Sequence, residues 1–327
     1  MTGRASILVV GGAGYIGSHM VRQLDWAGHR VTTLDDLSTG HRDAVLAGDF
    51  VQGSCGDSAV LDELLGQRRF DAVMHFASFI QVGESVTAPG KYYQNNLCAS
   101  LTLLDGLVRH GIRQFLFSST AAIFGIPERI PIDEAHPQRP INPYGRTKWM
   151  LEQALVDYQQ AHGLESVCLR YFNAAGAAPD AALGERHDPE THLIPLILQV
   201  AARRRPAIQV YGNDYPTPDG TCIRDYIHIE DLCTAHLLAL DWLLAGGGSA
   251  RYNLGNGQGF SVQAVIDAVR RLTGHPIPQT WVARRPGDPA ILVADAAAIQ
   301  QALGWQPRYP DLDTLIAHAW AFEQRRS

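Results

Sequence analysis

The chain predicts an α/β fold, a doubly wound parallel sheet that carries a smaller C-terminal α/β lobe. Three observations predict it. Short β-branched runs alternate with longer amphipathic stretches through the first half, as repeated βαβ units require. A glycine-rich turn joins the first apolar run directly to the first amphipathic stretch. After Asn173 the texture changes, and Pro- and Gly-rich loops such as 177–184 and 212–220 separate shorter elements.

Taken in order, residues 6–10, 30–34, 71–76, 114–118 and 166–170 read as strands, because each is a short run rich in Val, Ile, Leu or Phe bounded by turn residues. Residues 15–27, 91–110 and 143–161 have helical length and apolar spacing. The domain expectation is a first domain over 1–175 and a second lobe over 176–327, with 222–245, strand then helix again, free to return to the first.

Composition narrows the class. With 327 residues, 46% hydrophobic and 18% charged, the chain is long enough to bury a sizeable core and is far from disordered compositions. Net charge is −6 and the longest basic run is Arg203-Arg204-Arg205, which argues against nucleic acid as a partner. Five cysteines without a Cys-x-x-Cys pair fit reduced thiols better than a disulfide framework or a zinc site, so the expectation is a cytoplasmic protein with no metal. The apolar run at 7–10 meets glycines at once and is too short for a signal or a membrane span, so no membrane partner is expected.

The turn Gly11-Gly12-Ala13-Gly14-Tyr15-Ile16-Gly17 lies where a strand ends and a helix begins. There Gly11 permits a tight turn, Gly14 lets the backbone approach a pyrophosphate at the helix N-terminus, and Gly17 allows close helix–sheet packing. Asp35 ends the second strand, 18 residues after Gly17, where a carboxylate accepts from ribose hydroxyls and repels a 2′-phosphate. NAD is therefore expected over NADP, although His41 and Arg42 keep the second cofactor in view.

Tyr144 and Lys148 stand at i and i+4, so both project from one helix face. A free phenol has a pKa near about 10, and a neighbouring ammonium together with a positive nicotinamide would favour the phenolate a general base needs. Upstream, Ser118-Ser119-Thr120 closes a strand, at the sheet end where open α/β folds place ligands. Thr120 is the first candidate to hydrogen-bond a reacting oxygen and Ser119 the second.

Together the glycine turn, the strand-end hydroxyls and the Tyr144/Lys148 pair resemble the extended short-chain dehydrogenase/reductase family, and within it the NAD-dependent epimerases and dehydratases that act on sugar nucleotides. The likeness runs from Gly11 through Arg170-Tyr171-Phe172-Asn173 and Tyr211-Gly212-Asn213-Asp214-Tyr215 to Arg224-Asp225-Tyr226-Ile227-His228. It implies a Rossmann domain holding NAD and a UDP-hexose on the smaller lobe. The activity implied is interconversion of UDP-glucose and UDP-galactose by reversible oxidation at C4, with Tyr144 as acid and base assisted by Lys148 and Thr120. Cofactor contacts implied by the resemblance are Gly11, Gly14, Tyr15, Ile16, Gly17, Asp35, Ser54, Cys55, Phe76, Ala77, Asn95, Tyr144, Lys148 and Phe172. Implied substrate contacts are Thr120, Asn173, His192, Leu193, Tyr211, Arg224, Arg285, Asp288 and Leu292. A homodimer through the helices at 91–110 and 143–161 is also implied.

Departures from the pattern sharpen these expectations. Ile80 stands where some relatives carry a lysine against the cofactor pyrophosphate, and Gly53-Ser54-Cys55 replaces a Gly-Asp pair near the adenine. Leu292 falls at the gate for the sugar C2 substituent, intermediate between a bulky tyrosine and a small residue. Ala121 and Ala122 occupy the positions where a 4,6-dehydratase needs an acid and a base, which disfavours that reaction. A 4-epimerase of another UDP-sugar, a net oxidoreductase and a catalytically silent NAD sensor remain the competing readings; the last would be expected to lose Tyr144 or Lys148.

Overall fold

The structure, a computed structural model, describes residues 3–285 and 287–326. Its elements begin with β1 (Ser6–Val10), α1 (Tyr15–Trp26), β2 (Arg30–Asp35), β3 (Asp49–Gln52), α2 (Ser58–Gln67) and β4 (Ala72–His75). The short helices α3 (Val82–Thr87) and α4 (Pro89–Tyr92) then pass through a π-helical turn, Tyr93–Cys98, into α5 (Ala99–Arg109). β5 (Gln114–Thr120), α6 (Pro143–His162) and β6 (Glu165–Tyr171) follow. The remainder comprises β7 (Asn173–Ala175), α7 (Leu193–Ala201), β8 (Ile208–Tyr211), β9 (Ile223–His228), α8 (Ile229–Leu244), β10 (Ala250–Leu254), β11 (Gly259–Ser261), α9 (Val262–Thr273), β12 (Gln279–Val282), β13 (Ile291–Leu292), α10 (Ala297–Leu303) and α11 (Leu312–Arg325).

Seven strands form one sheet in the order β10-β6-β5-β4-β1-β2-β3. β1 pairs in parallel with β2 and with β4, so the strand order reverses at the β1/β4 boundary, the topological switch point of a doubly wound fold. The strands read as continuous apolar runs because helices cover them. Leu8, Val10, Val73, Phe115 and Phe117 pack with Leu61 and Leu65 of α2, Leu103 and Leu107 of α5, and Leu151 and Leu155 of α6.

The chain divides into two compact units. The first comprises 1–125, 137–170 and 233–252, and the second 126–136, 171–232 and 253–327. The sequence boundary at 175/176 thus lies a few residues late, and of the segment 222–245 only the part from Cys233 onward joins the first unit. Segment 126–136 goes with the second unit because its backbone is tied there. Ile132 bonds to Val293 and Asp295 through the main chain, and Asn253 holds the Ile132 carbonyl and the Glu134 carboxylate.

Two other differences from the sequence reading have local causes. The helix expected over 91–110 is interrupted at Tyr93–Cys98, where the buried Asn96 amide donates to the Phe79 carbonyl and accepts from the Phe79 N–H, both at 2.9 Å. A π-turn supplies the extra residue such an insertion needs. β3 and α2 escaped notice because β3 is a four-residue edge strand with charged and polar ends, although Asp57 caps α2 by accepting from Ala59 and Val60.

α6 is fastened to the sheet by a buried ion pair. Glu152 is 0% exposed and Arg170 1%. The Glu152 carboxylate accepts from Arg170 Nε at 3.0 Å and Nη2 at 2.5 Å, and from Ser119 Oγ at 2.5 Å. These hydrogen bonds come from the neighbouring strands β6 and β5, and Arg251 Nε of β10 stands 3.5 Å from the same carboxylate, so the contacts fix both the depth and the rotation of α6. Removing one member strands the other charge in a dry interior, which costs about 3–5 kcal/mol, whereas exchanging both for apolar groups is far milder. Glu152→Leu is therefore expected to lower the urea midpoint by an amount equivalent to about 3–5 kcal/mol. Adding Arg170→Met should recover most of it; a double variant no more stable than the single one would contradict the pairing.

Candidate active site

At the switch point the backbone is packed too closely for side chains. Gly11 has φ +82°, and a Cβ there would lie 2.4 Å from the Ala77 nitrogen; a Cβ on Gly17 would meet the Gly11 carbonyl at 2.1 Å. Ala77 follows β4, so the turn after β1 and the chain leaving β4 lie side by side at the carboxyl ends of their strands. α1 starts at Gly14 with no side-chain cap and no acidic residue in its first turn. An N-terminus so arranged suits an anion such as a pyrophosphate.

Asp35 is buried at the end of β2 and accepts from Ala13 N–H at 2.9 Å and Leu37 N–H at 2.8 Å. Burial raises its pKa, and the two backbone bonds pull against that rise. A carboxylate has further lone pairs, so these bonds orient it without exhausting it. With the Gly11–Gly17 turn beside it, the residues present fit a dinucleotide.

Of the other positions assigned to the cofactor, Phe76 and Ala77 both donate main-chain hydrogen bonds to Val10, which holds them beside the glycine turn. Ser54 is exposed, its hydroxyl accepting from Gly56 N–H. The Cys55 side chain packs into the core, where burial pushes its thiol up to about 12, so only its backbone could meet a ligand. Half-buried Asn95 donates to Asn96, which is itself committed to the Phe79 loop. Tyr15, Ile16 and Ile80 are half-buried. Phe172, between β6 and β7, lies in the second unit.

Tyr144 and Lys148 occupy the first turns of α6, as their spacing requires. Asn142 caps the helix by accepting from Gly145 N–H, Pro143 begins it, and Gly145 permits a close approach, since a Cβ there would lie 2.4 Å from the Ala122 carbonyl. That approach brings the Thr120 hydroxyl into hydrogen-bonding reach of the Tyr144 phenol. Thr120 also accepts from Ala122 N–H at 3.1 Å, so it serves its own turn as well. Ser119 points the other way, to Glu152.

Lys148 is 2% exposed and donates to Ser78 Oγ at 2.7 Å and to the Ser118 carbonyl at 2.8 Å. Burial pushes its pKa down to about 7 against the opposing pull of Glu152. The expectation that Tyr144 is lowered needs correcting for the protein alone. Burial raises the phenol pKa, and the Thr120 hydrogen bond only offsets part of that. Sequence reading did not foresee that Ser78 and the Ser118 carbonyl hold Lys148, and it missed Glu152, although the signal for Glu152 was present, four residues after Lys148 on the same helical face.

The second unit gathers its own cluster. β9 lies between β11 and β13, with Leu292 opposite Arg224 in register, and β7 pairs with β9 so that Asn173 faces Tyr226. The Arg224 guanidinium pairs with the Asp288 carboxylate, both largely buried. The adjacent Asp225 does not pair with Arg224: it is buried and accepts from Asn256, Gly257 and Ala294 N–H, with burial raising its pKa to about 6. Asn173 donates to the Asp225 carbonyl at 2.9 Å. Arg285 stacks over the Tyr211 ring at 3.9 Å, and Arg284 pairs with Asp214; Pro286 of the same segment lies outside the described residues.

His192 and Leu193 open α7. His192 Nδ1 is engaged by the buried Glu185 carboxylate, which His187 Nδ1 approaches at 3.1 Å. Burial alone would raise the Glu185 pKa, but the two imidazoles outweigh it and hold the carboxyl down at about 2. These partners of His192 were not singled out from the sequence, although the spacing Glu-x-His-x-x-Glu-x-His at 185–192 was there to be seen.

Comparison with known proteins agrees with this geometry. Residues 7–255 match the family model described as the NAD dependent epimerase/dehydratase family. The UDP-glucose 4-epimerase of Halalkalibacterium halodurans is 50% identical over 315 residues, covering 96% of this chain and 94% of that protein. That of Rhizobium meliloti is 49% identical over 322 residues, covering 98% of each. Among solved structures, the UDP-glucose 4-epimerase of Brucella ovis in complex with NAD superimposes with a TM-score of 0.95 at 50% identity, covering 97% of this chain and 98% of the other. The Bifidobacterium longum enzyme in complex with NAD+ and UDP gives 0.93 at 36% identity, covering 98% of each. With glycine turn, acidic strand end and Tyr-x-x-x-Lys helix assembled as described, the chain belongs to the NAD dependent epimerase/dehydratase family.

Proposed function

We propose that this protein interconverts UDP-glucose and UDP-galactose by reversible oxidation and reduction at the sugar C4. The observation that carries the reading is the pairing of a dinucleotide-type switch point with Tyr144, Thr120 and Lys148 at the adjoining strand and helix ends, in a chain about half identical to UDP-glucose 4-epimerases along nearly its whole length.

NAD, when bound, supplies the acceptor and donor of the hydride exchanged with C4. The protein's residues do the rest. The Gly11–Gly17 turn and the α1 N-terminus receive the pyrophosphate, and Asp35 accepts from the adenosine ribose. Tyr144 removes the proton from the C4 hydroxyl as C4 is oxidised and returns it as C4 is reduced, while Thr120 hydrogen-bonds the phenol and the reacting oxygen. Lys148, held by Ser78 and Ser118, places positive charge behind that exchange. Arg224, Arg285 and Asn173 hold the UDP diphosphate, Tyr211 packs beside the uracil, Asp288 accepts from the ribose, and His192 and Leu193 complete the nucleotide pocket. Guanidinium donors outnumber what one carboxylate can accept, so Arg224 keeps donors for a phosphate while paired with Asp288.

Leu292 sets the preference for an unmodified hexose over an N-acetylhexosamine. The reading further has the enzyme work in the cytoplasm as a homodimer through the helices at 91–110 and 143–161, where Leu97, Leu101 and Ala154 are only partly buried. Among the described residues no helix is long and apolar enough to cross a membrane.

The decisive experiment incubates purified protein with UDP-galactose and no added coenzyme. UDP-glucose should accumulate catalytically, and faster than the corresponding conversion of UDP-N-acetylgalactosamine; a requirement for stoichiometric NAD would turn the assignment to a net oxidoreductase. Tyr144→Phe should lower kcat by on the order of 10²–10⁴-fold while UDP affinity, measured by calorimetry, stays unchanged. Burial disfavours the Lys148 ammonium and by itself would neutralise it above about pH 7, but a phenolate forming on the same helix face favours the charged form and holds it. Without this cation the phenol ionises at higher pH, so Lys148→Met should move the acid limb of the kcat–pH profile upward. An unshifted profile would show that the charge plays no part.

A further inference from the structure

Ahead of α7, Glu185, His187, Glu190 and His192 each offer one ligand atom, and the four atoms lie within 4.8 Å of one another. Among the described residues this is the one group of His, Cys, Asp or Glu side chains so gathered. A tetrahedral zinc site with bonds of about 2.0–2.2 Å separates its ligand atoms by roughly 3.3–3.6 Å. His187 Nδ1 stands 3.1 Å from Glu185 Oε1 and 3.6 Å from Glu190 Oε1, close to those edges, whereas His192 Nδ1 and Glu185 Oε1 share a hydrogen bond shorter than an edge and move apart when an ion replaces the proton.

The surroundings hold these groups in place. Glu190 Oε1 accepts from the N–H groups of Thr191 and His192 at 2.8 and 2.9 Å, which fixes the carboxylate that closes the cluster. The two imidazole rings meet edge to face, 5.2 Å between centroids at 89°, so they converge on the cluster from different directions instead of stacking. Two carboxylates, two neutral imidazoles and one divalent ion sum to zero charge, which suits a site whose Glu185 is 7% exposed.

We propose that Glu185, His187, Glu190 and His192 bind a divalent transition-metal ion, with zinc the best match. Two nitrogen and two carboxylate ligands without a thiol favour zinc over the softer metals and over the all-oxygen chemistry of magnesium and calcium. The ion takes the place of the protons that the two Nδ1 atoms otherwise share with the carboxylates. It would staple the loop before α7 to the start of that helix, and it is independent of proton transfer at Tyr144.

The test uses chelator-treated full-length protein titrated with Co²⁺ as a spectroscopic probe. One equivalent should bind with visible ligand-field absorption of four-coordinate intensity, Zn²⁺ should displace it, and the melting temperature should rise with metal concentration. His187→Gln removes the ring that faces both carboxylates and should weaken Co²⁺ binding by at least about 100-fold, more than loss of an outer-shell partner costs a metal site. Glu185→Gln should do the same, and circular dichroism confirms that each variant is folded. Absence of a bound equivalent would overturn the proposal and leave an ion-pair network. A cobalt spectrum unchanged in folded His187→Gln would overturn it too, by placing the ion elsewhere.

Discussion

Glu152 sits with no solvent access on the same face of α6 as Lys148 and Tyr144, one and two turns further along, and its carboxylate is filled by Ser119 of β5 and the Arg170 fork of β6. A charge in that position is tolerable only with its partners in place. The helix therefore has one depth and one rotation against the sheet that satisfy it. Those same settings bring Gly145 onto the Ala122 carbonyl, Thr120 to the Tyr144 phenol and Lys148 between Ser78 and the Ser118 carbonyl. The pair adds little net stability over an apolar substitute, so its value is geometric.

Lys148 shows how this geometry becomes chemistry. Its ammonium is stripped of water and pushed down to about 7, which makes its charge expensive and its two hydrogen bonds important. The phenol beside it is raised by burial in the protein alone. A base at neutral pH then depends on positive charge brought near the ring, and a nicotinamide cation at the switch point is the natural supplier under the proposed reaction. Coenzyme binding and activation of the base would thus be one event.

The second unit handles charge in a different way. Asp225 is buried but satisfied by three backbone N–H groups, so it organises the loops at 256–257 and 294 and leaves Arg224 to pair with Asp288. Two adjacent residues of opposite charge thus have separate partners, the carboxylate on backbone N–H groups and the guanidinium on Asp288. Tyr211 and Arg285, 74 positions apart, meet because β8 and β12 pair in parallel and deliver both to the same strand ends.

The sequence by itself determined the class of fold, the dinucleotide turn and the Tyr144/Lys148 pair, because each rests on local rules. Strand and helix periodicity, the steric demand for glycine at Gly11 and Gly17, and the i, i+4 geometry of one helix need no knowledge of distant residues. Tertiary structure alone decided what those groups experience. Which hydroxyl of Ser119 and Thr120 faces the phenol, the direction in which burial moves Tyr144, the π-turn that Asn96 imposes on the helix expected over 91–110, and the capture of Asp225 by the backbone at 256–257 and 294 all depend on packing. Burial and long-range pairing set them, and neither is written in the spacing of neighbours along the chain.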